Sequence, residues 1–316
     1  MDYWEDLSGI PADSGPSVVT IGNFDGVHRG HREVLSRVVA EAKKRNARSV
    51  VITFDPHPAL VHRPEAAPSQ IMGLEDKRLF IGGLGVDALL VLPYTLEFAS
   101  HSAEDFVKKY IKEPLNACAV VVGHDVRFGR DNEGDFRRMQ ALGKQFGFDV
   151  IGIEDFGEDR RCSSTWVREA LADGEVEAAA EILGRPHRMV GEVIHGAARG
   201  RELGFPTANL SPDSEGFIPA DGVYAGWLVD EADRRWPAAI SVGSNPTFEG
   251  VPRQVEAHVI DRADSKIEDF NLYGQHVVVE FVQRLRPMVA YRGIEALIEQ
   301  MTEDVERTRE VLTPGA

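Results

Sequence analysis

Two histidines three positions apart carry the first chemical signal in this 316-residue chain, in the run Gly22-Asn23-Phe24-Asp25-Gly26-Val27-His28-Arg29-Gly30-His31. Residues at that spacing share a helix face, so His28 and His31 would present two imidazoles side by side. The run lies between an apolar, β-branched stretch (17–22) and a stretch with helical periodicity (30–45). A helix N-terminus offers unpaired N–H groups to phosphate. Two imidazole donors there could hold a pentacovalent α-phosphate while charge moves onto departing pyrophosphate. Gly22 and Gly30 let the backbone approach a ligand closely. The run is neither GxxxxGK[ST] nor GxGxxG. The same spacing also suits a plain helix cap with a second, solvated histidine, and spacing alone leaves both readings open.

Further polar segments follow later strand-like runs. Thr53-Phe54-Asp55-Pro56-His57-Pro58 follows a second apolar run, and Gly123-His124-Asp125-Val126-Arg127-Phe128-Gly129 a third. Ser163-Ser164-Thr165-Trp166-Val167-Arg168 opens a helical stretch, where hydroxyls, N–H groups and Arg168 could meet a triphosphate. Each segment alone also reads as a cap or a turn. Together they put Asn23, Phe24, Asp25, His57, Asp125, Arg127, Ser163, Ser164, Thr165 and Arg168 at successive strand ends, where open parallel sheets bind ligands.

The second half carries a different chemistry. Gly196, Gly200 and Gly204 punctuate a run that includes Arg201 and ends Phe205-Pro206-Thr207-Ala208-Asn209-Leu210, so the backbone could wrap phosphates. Thr207 and Asn209 alternate and would face one way if extended. Their hydroxyl and amide oxygens are hard ligands that suit Mg²⁺ beside ATP. Glu256 and His258 share a strand face, and a carboxylate there could accept a proton from an alcohol. The loop bearing Asn245 and Thr247 could fold over a ligand. A glycine-rich barrel corner with a solvated strand face remains the plainer alternative.

The elements that must position these groups change character along the chain. The first half alternates strand and helix patterns: strands at 17–22, 49–54, 88–92, 117–122 and 150–153, helices at 30–45 and 136–146, and a helix over 164–183 interrupted at Asp173-Gly174. Ser102 can cap a further helix. This predicts a doubly wound α/β domain. From Met189 the pattern becomes short strands broken by glycine and proline, with a hairpin at 224–242 and a final helix striped by Ile294, Leu297, Ile298, Met301, Val305 and Leu312. That predicts a small antiparallel barrel and a division into residues 1–186 and 187–316.

Composition narrows the function. The net charge of −16 lacks the basic face of a nucleic-acid binder. No apolar run reaches the roughly 20 residues of a membrane span, and the acidic start is no signal peptide. Two cysteines, Cys118 and Cys162, suggest neither a disulfide framework nor a zinc site, which fits the cytoplasm.

GNFDGVHRGH, TFDPHP, the RFG segment and SSTWVR together resemble the N-terminal half of bacterial bifunctional riboflavin kinase/FAD synthetases, itself similar to HxGH nucleotidyltransferases. GRELGFPTANL, DGVYAG, SVGSNPTF, RQVEAHVID and NLYG follow in the order found in riboflavin kinase domains. The resemblance implies a Rossmann-like nucleotidyltransferase domain followed by a six-stranded riboflavin kinase-like β-barrel with a C-terminal helix. It implies ATP, riboflavin and FMN as substrates, FAD as product and Mg²⁺ as cofactor. His28 and His31 would stabilise adenylyl transfer, Thr207 and Asn209 would hold Mg²⁺–ATP, Glu256 would be the base, and Tyr224 would join the kinase site. Partners would be small molecules, with no nucleic acid or membrane and at most a weak homo-oligomer. Asn271, Val126 and Ala290 depart from the family pattern.

Overall fold

The computed structural model describes residues 1–154, 156–157, 160–196, 203–243, 253–260, 271–289 and 293–313. Gly200, Arg201, Asn245, Thr247 and Ala290 lie outside these. Two compact units emerge, one formed by Met1–Ser69 with Leu74–Ser163 and the other by Gln70–Gly73 with Ser164–Ala316.

The first unit is a six-stranded parallel sheet. Its elements run β1 (Asp2–Trp4), β2 (Ser17–Ile21), α1 (Arg29–Arg45), β3 (Arg48–Asp55), α2 (Pro58–His62), α3 (Leu74–Gly82), β4 (Ala88–Pro93), β5 (Ala117–Gly123), α4 (Phe136–Phe146) and β6 (Asp149–Ile153). Spatial order is β1-β4-β3-β2-β5-β6. The chain therefore builds outward from β2 in one direction and returns to pair β5 on its other side, with Val18 facing Ala119 in register. That reversal opens a crevice beyond the carboxyl ends of β2 and β5. Strand alternation explains why both sheet faces are apolar. Val18, Ala119 and Val121 pack against Val38 and Ala42 of α1, whereas Val19, Ile52, Leu90 and Val120 join Met139 and Leu142 of α4 on the other face. Ser102 caps the next helical stretch through the Asp105 N–H, as expected, and that stretch passes through a π-helical segment, Val107–Lys112. Cys118 is half-buried and packs against the cluster beneath α1.

The second unit begins with α5 (Ser164–Asp173) and α6 (Val176–Leu183), then β7 (His187–Ile194), β8 (Ala208–Leu210), β9 (Gly222–Val229), β10 (Arg235–Gly243), β11 (Gln254–Val259), β12 (His276–Arg286) and α7 (Ile294–Leu312). The strands close a barrel in the order β10-β11-β8-β7-β12-β9. The break at Asp173-Gly174 is where Gly174 takes φ +77°, a conformation glycine adopts without penalty. The α5–α6 pair belongs with the barrel: Ala220 N–H donates to the Leu171 carbonyl at 2.9 Å and Arg284 Nη1 donates to the Asp173 carbonyl at 3.0 Å. The β9–β10 hairpin turns on Asp230, whose fully buried side chain accepts from Ala232 N, Arg234 N, Arg234 Nε and Trp236 Nε1. Burial pushes its carboxyl pKa up, but these bonds win and hold it below the usual range. At the other end α7 is tied to β12 by a two-pronged pair, Arg286 Nε and Nη2 donating to Asp304 at 2.8 and 2.7 Å.

Candidate active sites in the two units

The first site grows from the turn between β2 and α1. His28 is the N-cap of α1, and its Nδ1 accepts from the His31 N–H at 3.3 Å. The cap and the paired-imidazole arrangement thus coexist, because capping uses only one ring nitrogen. The two rings stack with centroids 3.6 Å apart. Gly30 makes this possible: a Cβ there would sit 3.2 Å from the His28 ring and 3.4 Å from the Cys162 carbonyl. Phe24, 3% exposed, closes on His31 edge-on at 5.2 Å. Phe24 and Val27 hold φ of 49° and 39°, a conformation that costs a β-branched residue energy and collects at functional turns. His31 keeps some exposed surface, yet its Nδ1 is buried and meets no hydrogen-bond partner among the described residues. Burial, followed by His28, Lys77 and Arg161, pushes its pKa well below the usual imidazole value. A neutral imidazole at rest can donate one N–H and gain a proton when an anion arrives.

A cavity of about 290 Å³ opens at the same edge, its walls including Ile21, Gly22, Asn23, Phe54, Tyr94, Phe98, Phe106, Arg127 and Phe128. Its aromatic walls, with Asn23 and Arg127 as polar groups, suit a flat ring system carrying an anion. Sequence reasoning missed Phe54, Tyr94, Phe98 and Phe106 as site residues. They lie on three separate segments: Phe54 and Tyr94 stand at strand ends, Phe98 and Phe106 in helical stretches, and no local signal gathers them. Arg127 Nη1 donates to the carbonyls of Asp125 and Val126 at 3.3 and 2.8 Å, while Asp125 pairs with Arg161 at 2.5 Å. His57 caps α2 by accepting from Ala59 N at 3.1 Å. Ser163 ends the first unit, whereas Ser164, Thr165 and Arg168 lie on α5 in the second.

The second site sits on the outer face of the barrel. Inward positions of β11 are Val255, Ala257 and Val259, so Gln254, Glu256 and His258 face out. Glu256 stands opposite Asn209 in the β11–β8 pairing. Thr207 Oγ1 donates to Glu256 Oε2 at 3.2 Å, and Asn209 Nδ2 donates to the Thr207 hydroxyl at 3.3 Å. His258 Nδ1 bonds to the Pro206 carbonyl at 2.8 Å, with Phe205 edge-on to its ring at 5.4 Å. A Cβ on Gly196 would collide with the Asn209 carboxamide, so glycine is needed there. Gly204 takes φ +89°. A hydroxyl, an amide and one carboxylate converge without any soft ligand, a donor set that fits Mg²⁺ once phosphate oxygens complete the shell. Asn271 serves its turn as an aspartate would, accepting from Tyr273 N at 3.0 Å. Val126 packs half-buried against the sheet core.

Tyr224 is placed otherwise than expected. Its side chain is fully buried in the barrel, edge-on to Phe281 at 5.4 Å, and its hydroxyl donates to the Ala220 carbonyl at 2.5 Å. It packs the barrel core, because the β9 position it occupies points inward.

Comparison with known proteins matches both halves. A family model for FAD synthetase fits residues 10–166, and one for riboflavin kinase fits residues 183–312. The bifunctional riboflavin kinase/FMN adenylyltransferase of Escherichia coli K12 is 36% identical over 93% of this chain and 92% of its own. That of Pseudomonas fluorescens is 37% identical over 95% and 94%. A crystal structure described as a macrolide-efflux protein from Streptococcus pneumoniae superposes with a TM-score of 0.84 at 32% identity, covering 97% of this chain and 98% of its own. Since the two sites fall in separate units, each within the segment its own family model covers or begins, and the full-length relatives carry both in this order, the chain belongs to the bifunctional riboflavin kinase/FMN adenylyltransferase family.

Proposed function

We propose that the barrel unit phosphorylates riboflavin to FMN and the parallel-sheet unit adenylylates FMN to FAD, each with ATP. The observation that carries the kinase reading is the hydrogen bond from Thr207 to Glu256 with Asn209 directly opposite. Glu256 takes the proton of the ribityl hydroxyl as that oxygen bonds to the γ-phosphorus and the bond to ADP breaks. Thr207 and Asn209 would hold Mg²⁺, which when bound neutralises phosphate charge. Phosphoryl transfer asks mainly for such positioning.

In the first unit the FMN phosphate, already an anion, attacks the α-phosphorus of ATP directly, and pyrophosphate leaves without a covalent enzyme intermediate. His28 and His31 stabilise the charge that builds on the departing group, assisted by the amino end of α1. The aromatic cavity takes the flavin ring, with Asn23 and Arg127 toward its phosphate. Asp25, His57, Asp125 and Ser163 complete nucleotide binding within this unit in this reading. We place the enzyme in the cytoplasm, acting on small molecules, at most a weak homo-oligomer; among the described residues no helix is long and apolar enough to cross a membrane.

Chromatography of flavins during incubation with riboflavin, ATP and Mg²⁺ tests this. FMN should rise first and FAD follow. Absence of FMN would overturn the kinase reading, and FMN without FAD the adenylyltransferase reading.

A further inference from the structure

α2 is a five-residue helix, Pro58–His62, and none of its residues is buried. Helices this short do not hold together in water by their own propensity, so ties to the rest of the fold must place it. Its amino end is set by the His57 cap and by the sheet. β3 and β4 pair to their last residues, Asp55 opposite Pro93. The ladder then runs one step further, Tyr94 N–H donating to the Asp55 carbonyl at 3.0 Å. The same tyrosine ties the carboxyl end. Its hydroxyl shares a hydrogen bond of 2.9 Å with His62 Nε2, and the two rings meet edge-on with centroids 5.6 Å apart. Tyr94 therefore grips segment 55–62 at both ends, once through its backbone and once through its hydroxyl.

This clasp borders the aromatic cavity. Tyr94 and Pro58 both line it. The Tyr94 ring also packs edge-on against Phe54 at 5.6 Å and tilted on Phe98 at 5.3 Å, two further walls. With its hydroxyl anchored, the ring keeps a fixed relation to the Pro58 wall before any ligand arrives. A wall ordered in advance spares the ordering cost that binding would otherwise carry. His62 is exposed and does not itself line the cavity, so any influence it has on a ligand passes through Tyr94 and α2.

We infer that His62 is a positioning residue for FMN adenylylation: its hydrogen bond to Tyr94 latches α2 against the end of β4 and sets the shape of the flavin pocket. The inference rests on the reading of this cavity as the place of the flavin ring.

The test is steady-state adenylylation of FMN by the full chain, with riboflavin phosphorylation in the same preparation as internal control. His62→Ala and Tyr94→Phe should each raise the KM for FMN about three- to tenfold, the worth of one hydrogen bond. The kcat should hold, the pattern of lost uniform binding, and the KM for ATP should stay within about twofold, below that scale. The double variant should be no worse than either single one, because both remove the same bond. His62→Gln keeps a side-chain amide able to bond the hydroxyl and should recover most of the loss. A KM for FMN within about twofold of the parent in His62→Ala, less than one hydrogen bond is worth, would overturn the latch. So would additive losses in the double variant, which would give the two residues separate roles. An equal fall in riboflavin phosphorylation would overturn it too, since that marks damage to the whole fold. Phe54→Leu/Phe98→Leu separates the two levels by keeping apolar bulk while removing two aromatic walls. An unchanged KM for FMN there refutes the cavity reading itself, whatever His62→Ala does. A raised KM there with a silent His62→Ala refutes the latch alone.

Discussion

The two units handle the same co-substrate with different materials. The parallel-sheet unit gathers its candidate groups at strand-to-helix turns, around a helix amino end, with two stacked imidazoles among them. The barrel unit sets a hydroxyl, an amide and a carboxylate on the outer face of two paired strands. The contrast follows the chemistry. An FMN phosphate nucleophile needs no base, so the first site can do without one. A ribityl alcohol must lose a proton, so the second must contain a carboxylate.

That contrast is broken most directly by mirror-image substitutions. Glu256→Ala should cost riboflavin phosphorylation about 10²–10⁴-fold, while supplied FMN is still converted to FAD. His31→Ala should cost FAD formation about 10²–10³-fold, with riboflavin consumed normally and FMN accumulating. Loss of FAD formation in a folded Glu256→Ala protein, or its persistence in His31→Ala, would dissolve the two-site assignment.

Truncation sharpens the boundary between the units. The expected division at 186/187 leaves α5 and α6 with the sheet, but these helices hydrogen-bond to the barrel and pack with it. A fragment 164–316 should therefore fold and make FMN but no FAD. A fragment 187–316 should melt at a lower temperature, having lost the buried Leu171, Ile182 and Leu183, each contributing about 1.5–3 kcal/mol. Equal melting temperatures would favour a boundary at 186/187.

Within the barrel unit, Asp304→Ala strands the largely buried Arg286 charge. Breaking such a pair typically costs about 3–5 kcal/mol, readable as a lowered denaturation midpoint. The smallest effect concerns pH. His31 has a folded pKa well below its unfolded value, so the unfolded chain binds more protons on acidification. Its contribution is fully present above about pH 6.5 and is lost as pH falls below that, by at most about 1.4 kcal/mol per pH unit. His31→Gln should flatten the stability–pH curve between about pH 7 and 5, the range set by the unfolded imidazole; an unchanged curve would show that another group governs it.

How far the sequence spoke depended on how local the signal was. Strand 117–122 was legible because a continuous apolar run marks a sheet interior, and the edge strand 150–153 because a short apolar run follows a helical stretch. β1 was not: three residues, Asp2–Trp4, are too few for any period, and their parallel pairing with β4 is a long-range event. The His28–His31 turn and the Thr207–Asn209–Glu256 group could be read because each lies within one short motif or on strand alternation. The aromatic cavity could not, since its walls meet only after the sheet forms. Tyr224 sat in a family motif, yet the motif could not say that its ring points inward.

The pairing of β8 with β11 acts as a vernier. β8 is only three residues long, and two of them, Ala208 and Asn209, align with Ala257 and Glu256. Strand side chains alternate, so a slip of one residue would bring Ala208 opposite Glu256 and turn Asn209 inward. The spacing between the Glu256 carboxylate and the Asn209 amide is thus written in backbone hydrogen bonds, not in side-chain packing. One residue inserted among 203–207 and absorbed by such a slip would leave a barrel with its circular dichroism intact and its kinase silent.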